Sequence, residues 1–383
     1  MRRPRLIHVT TADISLSLLL GPQLRAFRDA GYEVIGASAP GPFVAELESW
    51  GIEHRPLRHA TRAMAPHRDL GALAELYRLF REVRPDIVHT HNPKPGVYGR
   101  LAARAARVPV VVNTVHGLYA LPEDPRRKRA VVYTLERLAA LGSDAELVQN
   151  PEDIDTLVGI GIPARKVHLL GNGVDLARFT PPAPAVRAAV RAELGVGPDT
   201  VVCGVVGRLV WEKGYREVFD AARRLRARAP EVLVVVVGPE DPEKADGVDA
   251  AALDAARSDG VRFLGMRTDV ERLYAGMDLY ALASYREGFP RAAMEAAASG
   301  LPIVATDIRG CRQVVDHGRT GLLVPVRDAA ALAEAIATIA TDAGLRDTMA
   351  RRARDRAVAE FDQTTQIRIT LETYARLLGS DAP

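Results

Sequence analysis

The sequence predicts an α/β protein of two Rossmann-like, doubly wound parallel-sheet domains, and three observations carry that expectation. Short β-branched runs alternate with longer stretches of helical periodicity, the pattern of βαβ units. That pattern occurs twice, on either side of a turn-forming segment, Gly171-Asn172-Gly173 followed by Pro181, Pro182 and Pro184. The 383 residues are more than one hydrophobic core normally organises and suit two.

In the first half, strands are expected at 6–10, 33–38, 53–57, 87–90, 110–114, 146–149 and 167–170. Between them Leu16, Leu20, Leu24 and Phe27 recur at helical spacing and are closed by Gly31. Leu70, Leu73, Leu76, Tyr77, Phe80 and Val83 do the same and are stopped by Pro85. Both stripes read as core. In the second half, strands are expected at 201–206, 232–237, 261–264, 279–283, 302–306 and 322–324. The unbroken valines of 234–237 imply a strand buried on both faces. The expected organisation is a first domain at 1–172, a linker at 173–196, a second domain at 197–360 and a final segment at 361–383. Such sheets bind ligands beyond the carboxyl ends of their strands, so two of them facing each other would form an inter-domain cleft.

Composition excludes several classes. Hydrophobic residues at 48% and charged residues at 26% are ordinary for a globular protein, which argues against disorder. The net charge of +3 comes chiefly from arginine, since the lysines are Lys94, Lys128, Lys166, Lys213 and Lys244. Scattered arginines of this kind read as a solvated face, not as a nucleic-acid site. Cys203 and Cys311 have neither CxxC nor Cys/His spacing, so no disulfide framework or zinc site is expected and a reducing cytoplasm fits. Arg2-Arg3 mimics the start of a signal peptide, but His8 and Asp13 interrupt the apolar run, which reads as a first strand. No run approaches the roughly 18 to 20 apolar residues of a membrane span.

Two constellations carry chemistry. Glu287-Gly288-Phe289-Pro290 precedes a helix that contains Glu295 and closes at Gly300. Pro290 suits the first helical position and Gly300 the C-terminal cap. The two carboxylates would stand on the order of 10 Å apart, a span that fits the two ends of a nucleotide sugar. Amides at the helix start, next to Gly288, suit a phosphate or a sugar hydroxyl. The second constellation is Gly207-Arg208-Leu209 at a strand end, with Lys213-Gly214 opening the next helix. An arginine fork and a lysine point charge are what a departing diphosphate requires. Taken singly, each could be a set of solvated helix-end charges or surface ion pairs.

Taken together, these residues resemble the retaining glycosyltransferases of family 4, as do Asn172-Gly173-Val174-Asp175 and His116-Gly117. The resemblance runs along nearly the whole chain. It implies a GT-B fold, donor binding mainly by the second domain, and a last helix at about 361–378 that crosses back to the first. It makes Arg208 and Lys213 the diphosphate ligands, with Gly207 beside them, and Glu295 the acceptor of the ribose hydroxyls. Glu287, with Gly288, Phe289 and Pro290, would meet the donor sugar, and His116 would touch that sugar from the first domain. Met266 and Arg267 are expected to meet the base through backbone groups. The family's Gly-Gly pair in the first strand-to-helix loop is missing: 10–15 read Thr-Thr-Ala-Asp-Ile-Ser, which leaves Ser15 or the loop amides to substitute.

Asp153-Ile154-Asp155 imitates a metal-binding motif but follows Asn150-Pro151 at a helix start, where carboxylates favour the dipole. His89 and His91 share one face of a strand, yet no acidic or cysteine partner follows at ligand spacing. The expectation is therefore no metal and no cofactor beyond the nucleotide-sugar co-substrate, with UDP favoured over GDP. On the acceptor side, Asn92 and Lys94 with the segment 113–119 resemble family members that extend glycans on polyprenyl-diphosphate carriers. Leu118, Tyr119 and Leu121 lead into Arg126-Arg127-Lys128-Arg129, an apolar-then-basic run suited to peripheral contact with the inner face of the cell membrane. Two rivals stay open: a sugar-nucleotide epimerase on the same plan, and a nucleotide-sugar-binding protein without catalysis.

Overall fold

The computed structural model describes residues 2–61, 66–91, 93–120, 124–241, 244 and 246–379. The chain divides into two compact units, one of Met1–Gly171 with Thr364–Pro383 and one of Asn172–Gln363.

The first unit is a seven-stranded sheet of β1 (Arg5–Ala12), β2 (Glu33–Ala39), β3 (Glu53–Pro56), β4 (Ile87–His91), β5 (Val110–Val115), β6 (Ala145–Val148) and β7 (Val167–Leu169). Their order across the sheet is β3-β2-β1-β4-β5-β6-β7, and every pairing is parallel. The second unit holds β8 (Val201–Val206), β9 (Val232–Val237), β10 (Arg262–Phe263), β11 (Leu279–Leu282), β12 (Ile303–Thr306) and β13 (Gly321–Val324). Its order is β10-β9-β8-β11-β12-β13, again all parallel. Each sheet reverses its winding once, between β1 and β4 and between β8 and β11. Those reversals leave a crevice beyond the strand ends, the place where such sheets take ligands.

Helices cover both faces of each sheet. Val234 and Val236 pack to one side of β9, and Val235 and Val237 to the other, which is why the valine run is unbroken. The helix Gln363–Leu378 supplies Tyr374 to the first unit, where it is fully buried beside Phe27 and Tyr32. Residues within the stretch read as a linker form the helix Pro184–Glu193, which buries Val190 in a core of the second unit.

Two expectations about helices need correction. The stripe from Leu16 to Phe27 is not one α-helix. Ser15–Leu19 form a wide π-turn in which Leu20 N–H donates to Ser15 O at 3.1 Å, and the α-helix begins afresh at Gly21–Asp29. Pro22 has no N–H to continue the earlier ladder, so the break falls there. In the helix Pro66–Val83, Leu76, Phe80 and Val83 are buried as expected, but Leu70 is 70% exposed and Tyr77 is 39% exposed. The core stripe is therefore narrower than the periodicity suggests.

Candidate functional site

In the second unit, the chemistry gathers at the carboxyl ends of β8 and β11. Gly207 follows β8, its N–H donates to Val237 O at 2.9 Å, and its carbonyl accepts the Tyr215 hydroxyl at 2.8 Å. Arg208 then turns outward, about half exposed, and donates to Asp241 Oδ2 at 2.8 Å. Lys213 closes a short turn that ends at Gly214, whose φ of +75° favours glycine, and a Cβ there would also overlap the carbonyl of Ala283. This close approach brings the start of one helix against the end of β11. Across it, Lys213 Nζ donates to Glu287 Oε1 at 2.6 Å, and Ser284 Oγ donates to the same oxygen at 2.7 Å.

The loop of Glu287 is fixed from three sides. Thr306 Oγ1 donates to Ser284 O at 2.6 Å, a Cβ on Gly310 would overlap the Glu287 carbonyl, and Asn172 Nδ2 donates to Phe289 O at 3.1 Å. Phe289 packs edge-on against Phe361 at 5.9 Å. Pro290 is the N-cap of the helix Arg291–Ala298 and not its first residue, one position earlier than expected, while Gly300 ends it with φ +78°. Glu295 lies on that helix and is mostly buried. Burial raises its pKa, while Arg291, donating at 3.1 Å, and Tyr274, at 3.4 Å, favour the charged form. Arg267 does not face outward freely: its guanidinium grips Asp269 with two bonds of 2.8 Å and also reaches Glu193 at 3.2 Å. That fork holds the Asp269 carboxyl down at about 2. Met266 beside it is half exposed.

In the first unit, the reversal between β1 and β4 holds a group of imidazoles. Pairing sets His8 beside His89 in register, and His91 lies two residues on, on the face of His89. His8 Nδ1 is 2.8 Å from His91 Nε2, and His91 Nδ1 is 3.1 Å from Nε2 of His116, which follows β5. His89 Nε2 lies 2.7 Å from the Thr114 hydroxyl, and its Nδ1 meets the Tyr374 hydroxyl. Burial lowers the pKa of His8 to about 3 and of His116 to about 4, and holds His89 and His91 well below the usual range. Ligand nitrogens of His8, His89 and His91 all come within 4.8 Å of one another, so these three are the metal-capable group among the described residues. An all-imidazole set would suit zinc or copper. The facing nitrogens of His8 and His91 already share a proton-length contact, however, and both nitrogens of His89 are taken by hydroxyls, so the arrangement is that of a hydrogen-bonded array. His8 could not be found by spacing, because strand pairing brings it to histidines some 80 residues away.

A model described as Glycosyl transferases group 1 matches residues 186–356, and one described as Glycosyltransferase Family 4 matches 23–178. The UDP-Gal:alpha-D-GlcNAc-diphosphoundecaprenol alpha-1,3-galactosyltransferase of Escherichia coli is 31% identical over 77% of this chain and 76% of its own. The chain belongs to the family 4 glycosyltransferases. An N,N'-diacetylbacillosaminyl-diphospho-undecaprenol alpha-1,3-N-acetylgalactosaminyltransferase of Campylobacter jejuni is 25% identical over 94% of both chains. Among solved structures, Anabaena HepE in complex with UDP and glucose gives a TM-score of 0.81 at 23% identity, covering 97% of this chain and 99% of that one. That likeness shows the GT-B fold.

Other expected residues of this glycosyltransferase fall as follows. In the loop after β1, which lacks the glycine pair, the Asp13 carboxylate accepts the N–H groups of Ile14 and Phe43, each at 2.8 Å. Ser15 beside it caps the π-turn with its carbonyl. Lys94 Nζ pairs with Asp69 at 2.5 Å and donates to Thr61 O at 3.1 Å. Asn92 and Leu121 lie outside the described residues. Asp153 sits in the first turn of the helix Glu152–Gly159, where Asn150 Oδ1 accepts the Glu152 N–H at 2.9 Å.

The basic run begins the helix Arg126–Ala140, with Arg126 and Arg127 exposed and Lys128 paired to Asp124 at 2.9 Å. Leu118 is buried and therefore not a surface residue as expected. Tyr119 is exposed as expected, and further exposed apolar side chains lie on the helix itself, at Val131, Leu135 and Leu138, with Leu141 at its end. No helix among the described residues is long and apolar enough to cross a membrane.

Proposed function

We propose that the glycosyltransferase moves a sugar from a UDP-sugar to a saccharide carried on a polyprenyl diphosphate, with retention of anomeric configuration. The observation that carries this reading is the junction of Lys213, Ser284 and Glu287 at the ends of β8 and β11, with Arg208 one turn away. Both cations are paired with carboxylates that a diphosphate can replace, and both pairs are partly open to solvent. The relatives' names support the carrier, since those from E. coli and C. jejuni are named for diphospho-undecaprenol acceptors.

On binding, Arg208 leaves Asp241 and Lys213 leaves Glu287 to take the diphosphate. Glu287 is then free to orient hydroxyls of the donor sugar, and His116 contacts the same sugar. Glu295 accepts the ribose hydroxyls, Gly288, Phe289 and Pro290 offer backbone groups, and Met266 and Arg267 line the base. The acceptor hydroxyl attacks on the face from which the diphosphate departs, the glycosidic bond breaks through an oxocarbenium-like state, and the leaving phosphate oxygen takes the proton. Arginine and lysine neutralise the leaving group in place of a metal. Lys94 would exchange Asp69 for the diphosphate of the acceptor.

The helix Arg126–Ala140 supports a membrane-side acceptor. Val131, Leu135 and Leu138 are spaced to share one face, exposed, behind a cationic start. Each basic residue near an anionic surface contributes about 1 kcal/mol, enough for reversible attachment. The decisive experiment supplies UDP-sugars with a polyprenyl-diphosphate saccharide and reads the product by NMR. An α-linked product from an α-linked donor is expected. A β-linked product overturns retention, turnover of donor without acceptor favours the epimerase, and no donor consumption with any acceptor favours a binding protein.

A further inference from the structure

We propose that a chain of three imidazoles, the buried His8 and His91 and the part-buried His116, fixes His116 as its Nδ1–H tautomer and so makes that nitrogen the ring's hydrogen-bond donor. The inference rests on the reading of His116 as a contact of the donor sugar. His8 and His91 then act as positioning residues through His116.

The argument begins at the far end of the chain. His8 is fully buried, its ring lies nearly parallel to Phe27 at 5.5 Å, and its Nε2 has no hydrogen-bond partner. A neutral imidazole carries one N–H and one lone pair. A stranded N–H is the costlier of the two to bury, so Nε2 holds the lone pair and Nδ1 holds the proton. Polarity then propagates along the contacts. His8 Nδ1–H donates across 2.8 Å to His91 Nε2, which makes His91 Nδ1 the protonated nitrogen. That N–H donates across 3.1 Å to His116 Nε2. His116 is left with its proton on Nδ1, which can serve an acceptor oxygen.

Neighbours hold the middle of the chain in place. His89 stacks on His91, with centroids 4.2 Å apart and planes 25° apart, and is itself tied at both nitrogens to Tyr374 and Thr114. Gln149, buried at the end of the next strand, hydrogen-bonds to the His116 ring. The reverse polarity would strand an N–H on His8 and present a bare lone pair to the ligand.

The test is a long-range 1H–15N spectrum of the full chain labelled with 15N-histidine, at neutral pH, with His116 identified by its loss in His116→Gln. The expected pattern for His116 is a protonated Nδ1 and an unprotonated Nε2. An Nε2–H tautomer or an imidazolium overturns the proposal. In a second arm, His8→Leu removes the first donor, and we expect a mixture of tautomers at His116. The same variant is expected to lower kcat on the order of 10-fold, below the roughly 100-fold of a misplaced reacting group, with KM for the donor nearly unchanged. His8→Gln, which retains an N–H, should restore most of the loss. An unchanged His116 signal in folded His8→Leu also overturns the chain. If the parent protein transfers no sugar, the function fails while the parent spectrum still decides the tautomer. If His8→Leu does not fold, the same parent spectrum decides.

Discussion

Arg100 in the first unit and Arg208 in the second make ion pairs of nearly equal length and opposite meaning. Arg100 is fully buried, donates to Glu146 and Glu136 at 2.7 Å each, and also reaches the carbonyl of Gly96. Glu146 in turn accepts from Asn113 at 2.7 Å and from Ser143. Arg208 meets Asp241 at 2.8 Å with 47% of its side chain in solvent. The first pair cannot be exchanged for anything without stranding a charge, whereas the second can trade its carboxylate for an incoming anion at little cost. Distance alone does not separate a fixed pair from an exchangeable one here; burial does. His8, His89 and His91 follow the same division, since they lie in a closed set while Lys213 and Glu287 remain partly open.

The largest expected effect tests the closed set as a whole. An unfolded histidine titrates near 6.5, but His8 is held to about 3, and His89 and His91 lie well below their usual value, because burial penalises the imidazolium. Below a pH of about 6.5 the unfolded chain therefore binds protons that the folded chain refuses, and stability falls as pH falls. Each such histidine adds up to about 1.4 kcal/mol per pH unit. The urea midpoint, followed by circular dichroism, is expected to drop steeply between about pH 6.5 and 5. A flat midpoint would mean that these rings are solvated.

Next in size, Arg100→Leu is expected to destabilise the fold by about 3–5 kcal/mol, because it leaves Glu146 buried and unpaired. Denaturant unfolding at neutral pH measures this, and a loss under about 1 kcal/mol would place Arg100 with the exchangeable pairs. Arg208→Ala and Lys213→Ala are each expected to lower turnover roughly 100-fold or more while the unfolding midpoint hardly moves. Near-normal rates would remove them from the chemistry. Asp241→Asn sharpens the same contrast by releasing Arg208. Donor KM is expected to fall a few-fold, with stability changed by no more than about 1 kcal/mol. Glu295→Ala is expected to raise donor KM and leave kcat nearly alone, since a ribose contact is made equally before and during reaction.

The strands were legible because β-branched runs bounded by turn residues leave little else for the chain to do, and β8 and β9 fall where the valines place them. The motif from Glu287 to Glu295 was legible too, down to its helix, because proline and glycine mark both ends. What could not be read were partners set by tertiary register. Nothing in spacing links His8 to His91, or Lys213 to Glu287. A face of arginines read as solvated conceals Arg100, whose burial depends on two glutamates from other elements. The wide turn at Ser15–Leu19 escaped because leucines at helical spacing do not reveal a missing N–H at Pro22.

The return of Thr364–Pro383 to the first unit has a consequence for biosynthesis. The ring of Tyr374 fills the space beside Phe27 and Tyr32 and gives His89 one of its two hydroxyl partners. A chain emerging from the ribosome exposes β1 through β7 first, then the whole of Asn172–Gln363, and only afterwards the helix that carries Tyr374. Domains usually complete themselves in order of synthesis. Here the earlier-made unit lacks part of its core until a helix made after the other unit arrives.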